Sequence, residues 1–278
     1  MKLKSRSAVK GLRIAACVGV TVALVFPLYW MLVTAVRPTR DLLTMDLSII
    51  PSTITLDGFA ALFKYNPVTS WLRVSTVLSL GSASISLLIS IFAGYSLSRF
   101  TGRGHQVMGL ALLLSRMLPG SLLVVPFYVI FLRLGLIDNV LSVVLVDTVF
   151  IVPFATWLLK GFFDGIPREL EEAAWVDGAG RIRALTSVIL PLSAPGIAAA
   201  ATYSTIFGWG DFLFARTLLT TDRNWPVTVG IVSFIGDNGT DWNSIMGMGL
   251  IAVLPMMVLF ILAERHLIAG LTAGGVKG

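Results

Sequence analysis

Charged side chains are scarce in this chain. Only 13% of its 278 residues are Asp, Glu, Lys or Arg, whereas 56% are hydrophobic and the mean hydropathy is +0.87. A soluble domain usually carries about 25% charged residues. This deficit excludes an ordinary water-soluble protein, so we predict an integral membrane protein that has the lipid bilayer as a partner. The net charge of +6 does not require nucleic acid as a second partner.

Cysteine and histidine are also rare. Cys17 is the only cysteine, which excludes an intramolecular disulfide. His105 and His266 are the only histidines, and they have no metal-ligand spacing. The phosphate-cradling sequence G-x-x-x-x-G-K-[ST] is absent, and no acid/base or nucleophilic cluster stands out at membrane depth. We therefore expect no catalytic residue, no metal site and no cofactor bound by this chain.

Long apolar runs dominate what remains. At about 20 apolar residues per span, they accommodate six transmembrane helices with short connections. We predict an all-α, polytopic membrane protein in which residues 14–266 form a single transmembrane domain. Prolines interrupt or kink spans one, three and five. The six spans are expected at about residues 14–36, 71–97, 107–132, 140–159, 187–207 and 244–263.

Two polar stretches are expected to form external structure. Residues 37–70 are rich in turn residues and should form a small lobe, in which Leu56, Phe59 and Phe63 recur at helical spacing and predict a short surface helix. Residues 208–243 should form the second external loop. Span two carries many small residues, which allow close helix approach in lipid, so we expect it to face protein.

The distribution of basic residues predicts the orientation. Residues 1–13 contain five Lys or Arg and no acid, which places this end in the cytoplasm. With six spans, the tail at residues 267–278 and the stretch at residues 160–186 are then also cytoplasmic. Basic residues exceed acids in the segments assigned to the inside but not in those assigned to the outside.

The stretch from Lys160 to Pro191 concentrates charge between two apolar runs. Pro167 suits the first helical position, and acids follow it in the first turn, so a helix should start near Ile166. Gly178 can adopt the left-handed conformation that ends a helix, after which apolar residues again recur at helical spacing. We expect a helix, a glycine elbow and a second amphipathic helix. The small side chains of Ala173 and Ala174 leave a face of the first helix on which a protein partner could pack closely.

Two charges fall inside predicted spans. The depth of each residue can be estimated from its position in its span, at a helical rise of about 1.5 Å per residue. Counted from opposite faces of the membrane, Arg116 and Asp147 both fall near the midplane, where a charge is costly. They either line or gate a solute path, singly or as a pair, or form a structural ion pair that locks spans three and four together. In the last external loop, Trp209 and Asp211 combine an aromatic face with a carboxylate, a combination suited to sugar but also common at membrane interfaces.

The charged stretch carries a family pattern. Glu172-Ala173-Ala174, then Gly178, then Val188-Ile189-Leu190-Pro191 resembles the EAA loop, E-A-A-x3-G-x9-I-x-L-P, of permease subunits in ATP-driven, binding-protein-dependent importers. Val188 in place of isoleucine is the one departure. In that family the loop supplies coupling helices that dock on ATPase subunits. The docking residues implied here are Glu171, Glu172, Ala173, Ala174, Asp177, Gly178 and Ala179.

The resemblance extends over most of the chain. The last nine residues, from Gly270, are similar to the G-L-T-x-G-x-V-K-G ending of the maltose-type carbohydrate permeases. Trp209-Gly210-Asp211-Phe212 resembles W-N-D-F with glycine for asparagine, and Glu264-Arg265 stands where Q-R is usual. In these matches the chain resembles the maltose-type permease subunit that carries the small external lobe.

The resemblance implies a mechanism and a set of partners. A sugar or oligosaccharide would cross a bacterial or archaeal cytoplasmic membrane by alternating access, with both termini of this multi-pass chain inside. The partners would be a second related permease, two ATPase subunits that hold ATP and Mg²⁺, and an external solute-binding protein. An importer for a non-sugar solute remains an alternative because the loop is shared across substrates, and an ion-coupled secondary transporter using Asp147 or Arg116 is another.

Overall fold

The computed structural model describes residues 2–42, 48–236 and 239–275. Nearly all of the regular structure in this part of the chain is helical, which confirms the all-α prediction. In chain order the α-helices are α1 (Lys2–Ala35), α2 (Thr39–Leu42), α3 (Asp57–Tyr65), α4 (Val68–Arg99), α5 (Arg103–Ser115), α6 (Gly120–Arg133), α7 (Val140–Asp164), α8 (Arg168–Val176), α9 (Arg181–Ala184), α10 (Leu190–Leu192), α11 (Ala194–Gly210), α12 (Leu213–Leu218), α13 (Val227–Val232) and α14 (Trp242–Gly275).

Short irregular elements lie between these helices. A π-helical segment, Leu185–Ile189, joins α9 to α10, and a 3-10 turn, Asp222–Asn224, precedes α13. The strands β1 (Ile235–Gly236) and β2 (Gly239–Thr240) form an antiparallel hairpin, in which Ile235 is opposite Thr240. This hairpin, within the predicted external loop, is a small addition to the expected fold.

Four helices are long and apolar enough to cross a membrane, and two bent pairs raise the number to six if each pair is one span. The four span segments are Lys10–Ala35, Val68–Arg99, Val140–Asp164 and Trp242–Glu264. Helices α5 and α6 meet at 102°, and the segment from Arg181 to Leu192 meets α11 at 82°. Proline therefore breaks spans three and five, whereas Pro27 lies inside the unbroken α1.

Several helices extend beyond the predicted membrane spans. Helix α1 begins at Lys2, so the expected N-terminal tail is helical, and α14 continues through the expected C-terminal tail to Gly275. Residues 276–278 of the tail pattern lie outside the described residues. Helix α7 runs to Asp164, five residues into the predicted loop, where Lys160 forms an i,i+4 ion pair with Asp164.

The chain divides into two compact units, Met1–Asn66 with Ile231–Leu254 and Pro67–Gly230 with Pro255–Gly278. In the first, the Asn243 side-chain amide joins α14 to the end of α1 and to α2. It donates hydrogen bonds to the carbonyl oxygens of Thr34 (3.0 Å) and Arg37 (2.8 Å), while its own oxygen accepts one from Thr39 (3.0 Å). The expected surface helix is α3.

The second unit is organised around α4. Its buried residues run from Val68 to Ser98, and they include five of the small residues that predicted a protein-facing helix: Ser75, Ser79, Ser82, Ala83 and Ser86. Gly94 lies against the α7 backbone, where an added Cβ would be 3.1 Å from the Thr156 carbonyl oxygen. Gly208 of α11 lies equally close to the Ser79 backbone. Small residues thus let α4 pack tightly on both α7 and α11.

The turn between α6 and α7 is tied to the residues that follow α12. The Asp138 carboxylate accepts hydrogen bonds from the backbone N–H groups of Thr220 and Thr221, both at 2.9 Å, and from the Thr221 hydroxyl. Burial by itself raises the pKa of Asp138, but these hydrogen bonds outweigh it and lower the pKa to about 2. Asn139 then caps α7 by accepting from the Leu141 N–H.

Candidate functional site

The predicted elbow is present, and we define it as residues 168–179. Pro167 immediately precedes α8, and Glu169 and Glu171 supply negative charge in the first turn. The helix ends at Gly178, which has a φ of +85°. The Ala179 N–H donates to the Ala174 carbonyl at 2.9 Å and the Gly178 N–H to the Trp175 carbonyl at 3.0 Å. This is the Schellman pattern of helix termination, in which glycine avoids the strain of a left-handed conformation.

Most of the predicted docking residues are accessible. Glu172, Ala173, Asp177 and Gly178 are exposed, while Ala174 and Ala179 are half-buried. Two apolar side chains next to them are also accessible: Val176 is 88% exposed and Ile182 of α9 is 72% exposed. Neither had been predicted to belong to the site. An acidic edge beside exposed apolar side chains suits a protein partner with basic and apolar groups.

Among the predicted docking residues, Glu171 is the one that is buried. Glu171 is only 2% exposed, and its Oε2 atom lies 2.8 Å from the Nε atom of Arg99 at the end of α4. Its Oε1 atom accepts a hydrogen bond from the Tyr95 hydroxyl. The helical turn directs this one carboxylate towards α4. Neither Tyr95 nor Arg99 had been predicted to contribute to the site.

Asp147 is buried in the second unit. It is 0% exposed on α7, and neither carboxylate oxygen has a hydrogen-bond partner among the described residues. Asp211, just after α11, accepts a hydrogen bond from the Ala215 N–H at 2.8 Å, and Trp209 nearby is buried. Both acidic residues of the predicted path therefore belong to the second unit.

Arg116 does not lie within a continuous helix as predicted. It caps the end of α5 at the sharp bend before α6, so the depth calculated from a straight span does not apply. Its guanidinium group is exposed and lies 4.8 Å from the centre of the Phe154 ring, which in turn contacts Tyr203 at 4.1 Å between ring centres. Asp147 forms no ion pair with it: the three ion pairs in the described residues are Arg40–Asp41, Arg99–Glu171 and Lys160–Asp164.

The described part of the chain offers no group of three or more His, Cys, Asp or Glu side chains that could hold a metal ion. The arrangement consists instead of an accessible elbow between membrane helices, the buried Asp147 within α7 and the half-buried Asp211 just after α11. These features can bind a protein and interact with a solute, respectively.

Comparison with known proteins places these features in a family. The family described as "Binding-protein-dependent transport system inner membrane component" matches residues 86–266. The chain is 31% identical to the inner membrane ABC transporter permease protein YcjP of Escherichia coli (strain K12), over 91% of each chain. It is 34% identical to the maltodextrin transport system permease protein MdxG of Bacillus subtilis (strain 168), over 81% of each. It is 29% identical to the diacetylchitobiose uptake system permease protein DasC of Streptomyces coelicolor (strain ATCC BAA-471 / A3(2) / M145), over 92% of this chain and 93% of the relative.

A solved structure shares the fold. A chain of a bacterial ABC transporter involved in the import of the acidic polysaccharide alginate matches with a TM-score of 0.80 and 17% identity, over 94% of this chain and 97% of that one. The family match covers more than half of the chain, and relatives at 30% identity or above cover most of it. This protein is therefore a multi-pass membrane protein that belongs to the inner membrane permeases of binding-protein-dependent ABC transport systems.

Proposed function

We propose that this chain is the permease subunit of an ATP-driven importer that moves a sugar or oligosaccharide across the cytoplasmic membrane by alternating access. The observation that carries the proposal is the accessible elbow, residues 168–179, held between helices that are long enough to span the membrane. The names of relatives similar over most of their length supply the solute class, since they include maltodextrin and diacetylchitobiose.

The elbow is the proposed docking site for separate ATPase subunits on the cytoplasmic side. Glu172 would make the polar contact, and the small side chains of Ala173 and Ala174 together with Gly178 would allow close approach. Val176 and Ile182 add apolar area that water contacts in the chain alone. ATP and Mg²⁺ would be held by those subunits, because this sequence has no phosphate-cradling loop.

The remaining partners follow from the same proposal. A second, related permease would complete the solute path, and an external solute-binding protein would deliver the sugar to it. The two termini would lie in the cytoplasm with the elbow, since six spans return the chain to the side on which it began. No nucleic acid is involved.

The solute path would pass the buried acids of the second unit. Asp147, Asp211, Trp209 and Arg116 are its proposed residues. An unpartnered carboxylate deep among membrane helices costs free energy, which is recovered when a hydroxyl-rich solute or water donates hydrogen bonds to it.

The test is uptake by the assembled transporter. Proteoliposomes containing this chain, its partner permease, the ATPases and the binding protein should accumulate labelled maltodextrin or diacetylchitobiose only with ATP inside, and vanadate should abolish uptake. Accumulation of a peptide or phosphate but of no sugar in the panel would contradict the solute class.

One observation favours the alternative of an ion-coupled secondary transporter, namely the buried and unpartnered Asp147. In that case uptake would resist vanadate and would collapse when an ionophore removes the proton gradient. The same proteoliposomes therefore discriminate the two functions in a single experiment.

A further inference from the structure

The elbow is attached to α4 through the buried side chain of Glu171. Its two carboxylate oxygens have different partners: Oε2 is 2.8 Å from Arg99 Nε, and Oε1 accepts from the Tyr95 hydroxyl. The Glu171 and Arg99 side chains are 2% and 8% exposed, respectively. We call Tyr95, Arg99 and Glu171 the α4 clamp.

Two further hydrogen bonds from arginine side chains connect the end of α4 to the segment around the start of α8. Arg99 also donates from Nη2 to the Ile166 carbonyl at 3.1 Å, just before α8 begins. In the opposite direction, Arg168 at the start of α8 donates to the Ser98 carbonyl at 3.3 Å. The guanidinium of Arg99 is thus fixed between two points of the segment that leads into and forms α8.

The far side of the elbow makes a similar contact with the residue after α4. The Arg181 guanidinium lies 4.9 Å from the centre of the Phe100 ring and 5.8 Å from that of Trp175. A cation over an aromatic face is attracted by the ring quadrupole. Helix α8 therefore contacts the end of α4, and helix α9, just after the elbow, contacts the residue that follows α4.

The chain connections of the elbow are irregular by comparison. Between α7 and α8, the Gly165 and Ile166 N–H groups bond only to carbonyls three residues earlier. After α9, the chain passes through the π-helical segment and then breaks at Ser193, where α10 and α11 meet. A helix interrupted in this way transmits displacement along its axis less directly than a continuous one.

Helix α4 can pass a displacement into the membrane helices. It is unbroken for 32 residues from Val68 to Arg99, and it packs tightly on α7 at Gly94 and on α11 at Gly208. Tightly packed helices move together rather than deform independently. A movement of its clamped end would therefore reach both neighbouring helices.

We propose that the α4 clamp is the positioning device that makes the elbow and α4 move as one body, so that docking forces on the elbow reach the solute path through α4 rather than through the chain connections. This inference rests on the proposed docking of ATPases at the elbow. Tyr95, Arg99 and Glu171 are positioning residues, since they act through the elbow and need not touch the ATPase or the solute.

The chemistry of the clamp fits a mechanical role better than a purely stabilising one. Burying an ion pair carries a desolvation cost that often cancels its contribution to stability relative to apolar side chains. Its geometry, however, is directional: separate hydrogen bonds from Tyr95 and Arg99 to each oxygen of Glu171 fix that carboxylate in orientation as well as in distance.

The test uses the complete transporter in proteoliposomes and measures ATPase retention, ATP hydrolysis and solute transported per ATP. In the Glu171→Gln variant, the ATPases should remain bound and hydrolysis should continue, while solute per ATP falls roughly fivefold. The exchange of Arg99→Glu with Glu171→Arg should recover at least part of that loss. The control Asp164→Asn removes an exposed carboxylate and its ion pair with Lys160 at the end of α7, outside the elbow, and should leave the ratio unchanged.

Unchanged solute per ATP in Glu171→Gln overturns the proposal. If that variant fails to assemble, Tyr95→Phe removes one hydroxyl from the clamp and decides the question: a lowered ratio supports the proposal and an unchanged ratio overturns it. Failure of the proposed function is a separate outcome, because the unaltered transporter would then show no ATP-dependent uptake at all.

Discussion

At the scale of single residues, Gly178 determines whether the elbow can form. Its φ of +85° lies in the left-handed region, where a side chain costs roughly 1–2 kcal/mol, although no atom within 4 Å would obstruct a Cβ. Gly180 has equally open surroundings but a φ of −74°. Substitutions at the two glycines therefore distinguish an effect of backbone conformation from an effect of steric crowding.

This difference gives a prediction. Gly178→Val should distort the helix termination and weaken ATPase docking, lowering both ATP hydrolysis and uptake by roughly tenfold, the equivalent of about 1.4 kcal/mol. Gly180→Val should leave both within about twofold, since valine accepts an extended conformation. Both rates are measured in proteoliposomes with matched amounts of complex. Wild-type transport in Gly178→Val would count against docking at the elbow.

Arg116 allows a test of the solute path at the same scale. Arg116→Ala removes an exposed charge at the bend between α5 and α6. If that charge faces the proposed solute path, uptake per assembled complex should fall roughly tenfold. The control is Arg133→Ala, an exposed arginine at the other end of α6. Uptake equal to that of the unaltered complex would remove Arg116 from the path and leave it a packing role on Phe154.

At the scale of elements, the contact of α11 with α4 depends on the absence of a side chain at Gly208. A Cβ there would lie 2.4 Å from Ser82 Oγ and 3.0 Å from Ser79 Cα. The serine hydroxyl can rotate away, but the Ser79 backbone cannot. Gly210, two residues later on α11, has nothing within 4 Å of the same position.

Gly208→Ala should therefore destabilise the second unit. Overpacking costs about 1–3 kcal/mol, which exceeds the roughly 0.5–1 kcal/mol that alanine gains over glycine inside a helix. We expect the detergent-solubilised protein to lose several degrees in Tm, at about 2–4 °C per kcal/mol. Gly210→Ala should keep its Tm within about one degree of the original, and a Gly208→Ala protein at least as stable would refute the close packing described here.

The same scale shows what sequence could predict. The helix predicted to begin near Ile166 and to close at Gly178 is α8, Arg168–Val176, within two residues at each end, because its bounds follow from local capping preferences. The inward direction of Glu171 depends on Arg99, 72 positions earlier in the chain, and no local pattern reports that contact. Residues 107–132 are apolar enough along their length to read as one span. Hydropathy therefore could not distinguish a single proline-kinked helix from two helices that meet at 102°.

At the scale of the whole molecule, the two bent pairs decide the topology. If α5 and α6 together cross the membrane once, the turn at Leu134 lies on the opposite face from Thr101. If the pair returns to the same face, the elbow after α7 is carried to the outside. The long apolar runs of the sequence predicted six spans, but the length and composition of the helices alone leave four to six.

Thiol labelling of intact cells tests this arrangement. In a Cys17→Ser background, single cysteines at the exposed positions Thr101, Leu134 and Val176 report three segments. We expect an impermeant reagent added outside to label Leu134→Cys alone, with Thr101→Cys and Val176→Cys labelled only after permeabilisation. Labelling of Leu134→Cys and Thr101→Cys from one face would show that the bent pair re-enters, and external labelling of Val176→Cys would exclude ATPase docking at the elbow.

The shortness of α5 and α6 has a consequence for biosynthesis. With 13 and 14 residues, each is about 20 Å long, well below the roughly 30 Å of hydrocarbon that an inserted segment must cross. If the pair crosses the membrane as one span, neither half is long enough to be integrated alone, and the translocation machinery must release the two as a unit. Helix α6 contacts α12 through Phe127 and Phe214, whose ring centres are 5.9 Å apart. The final bend therefore awaits a helix that the ribosome makes about 90 codons later.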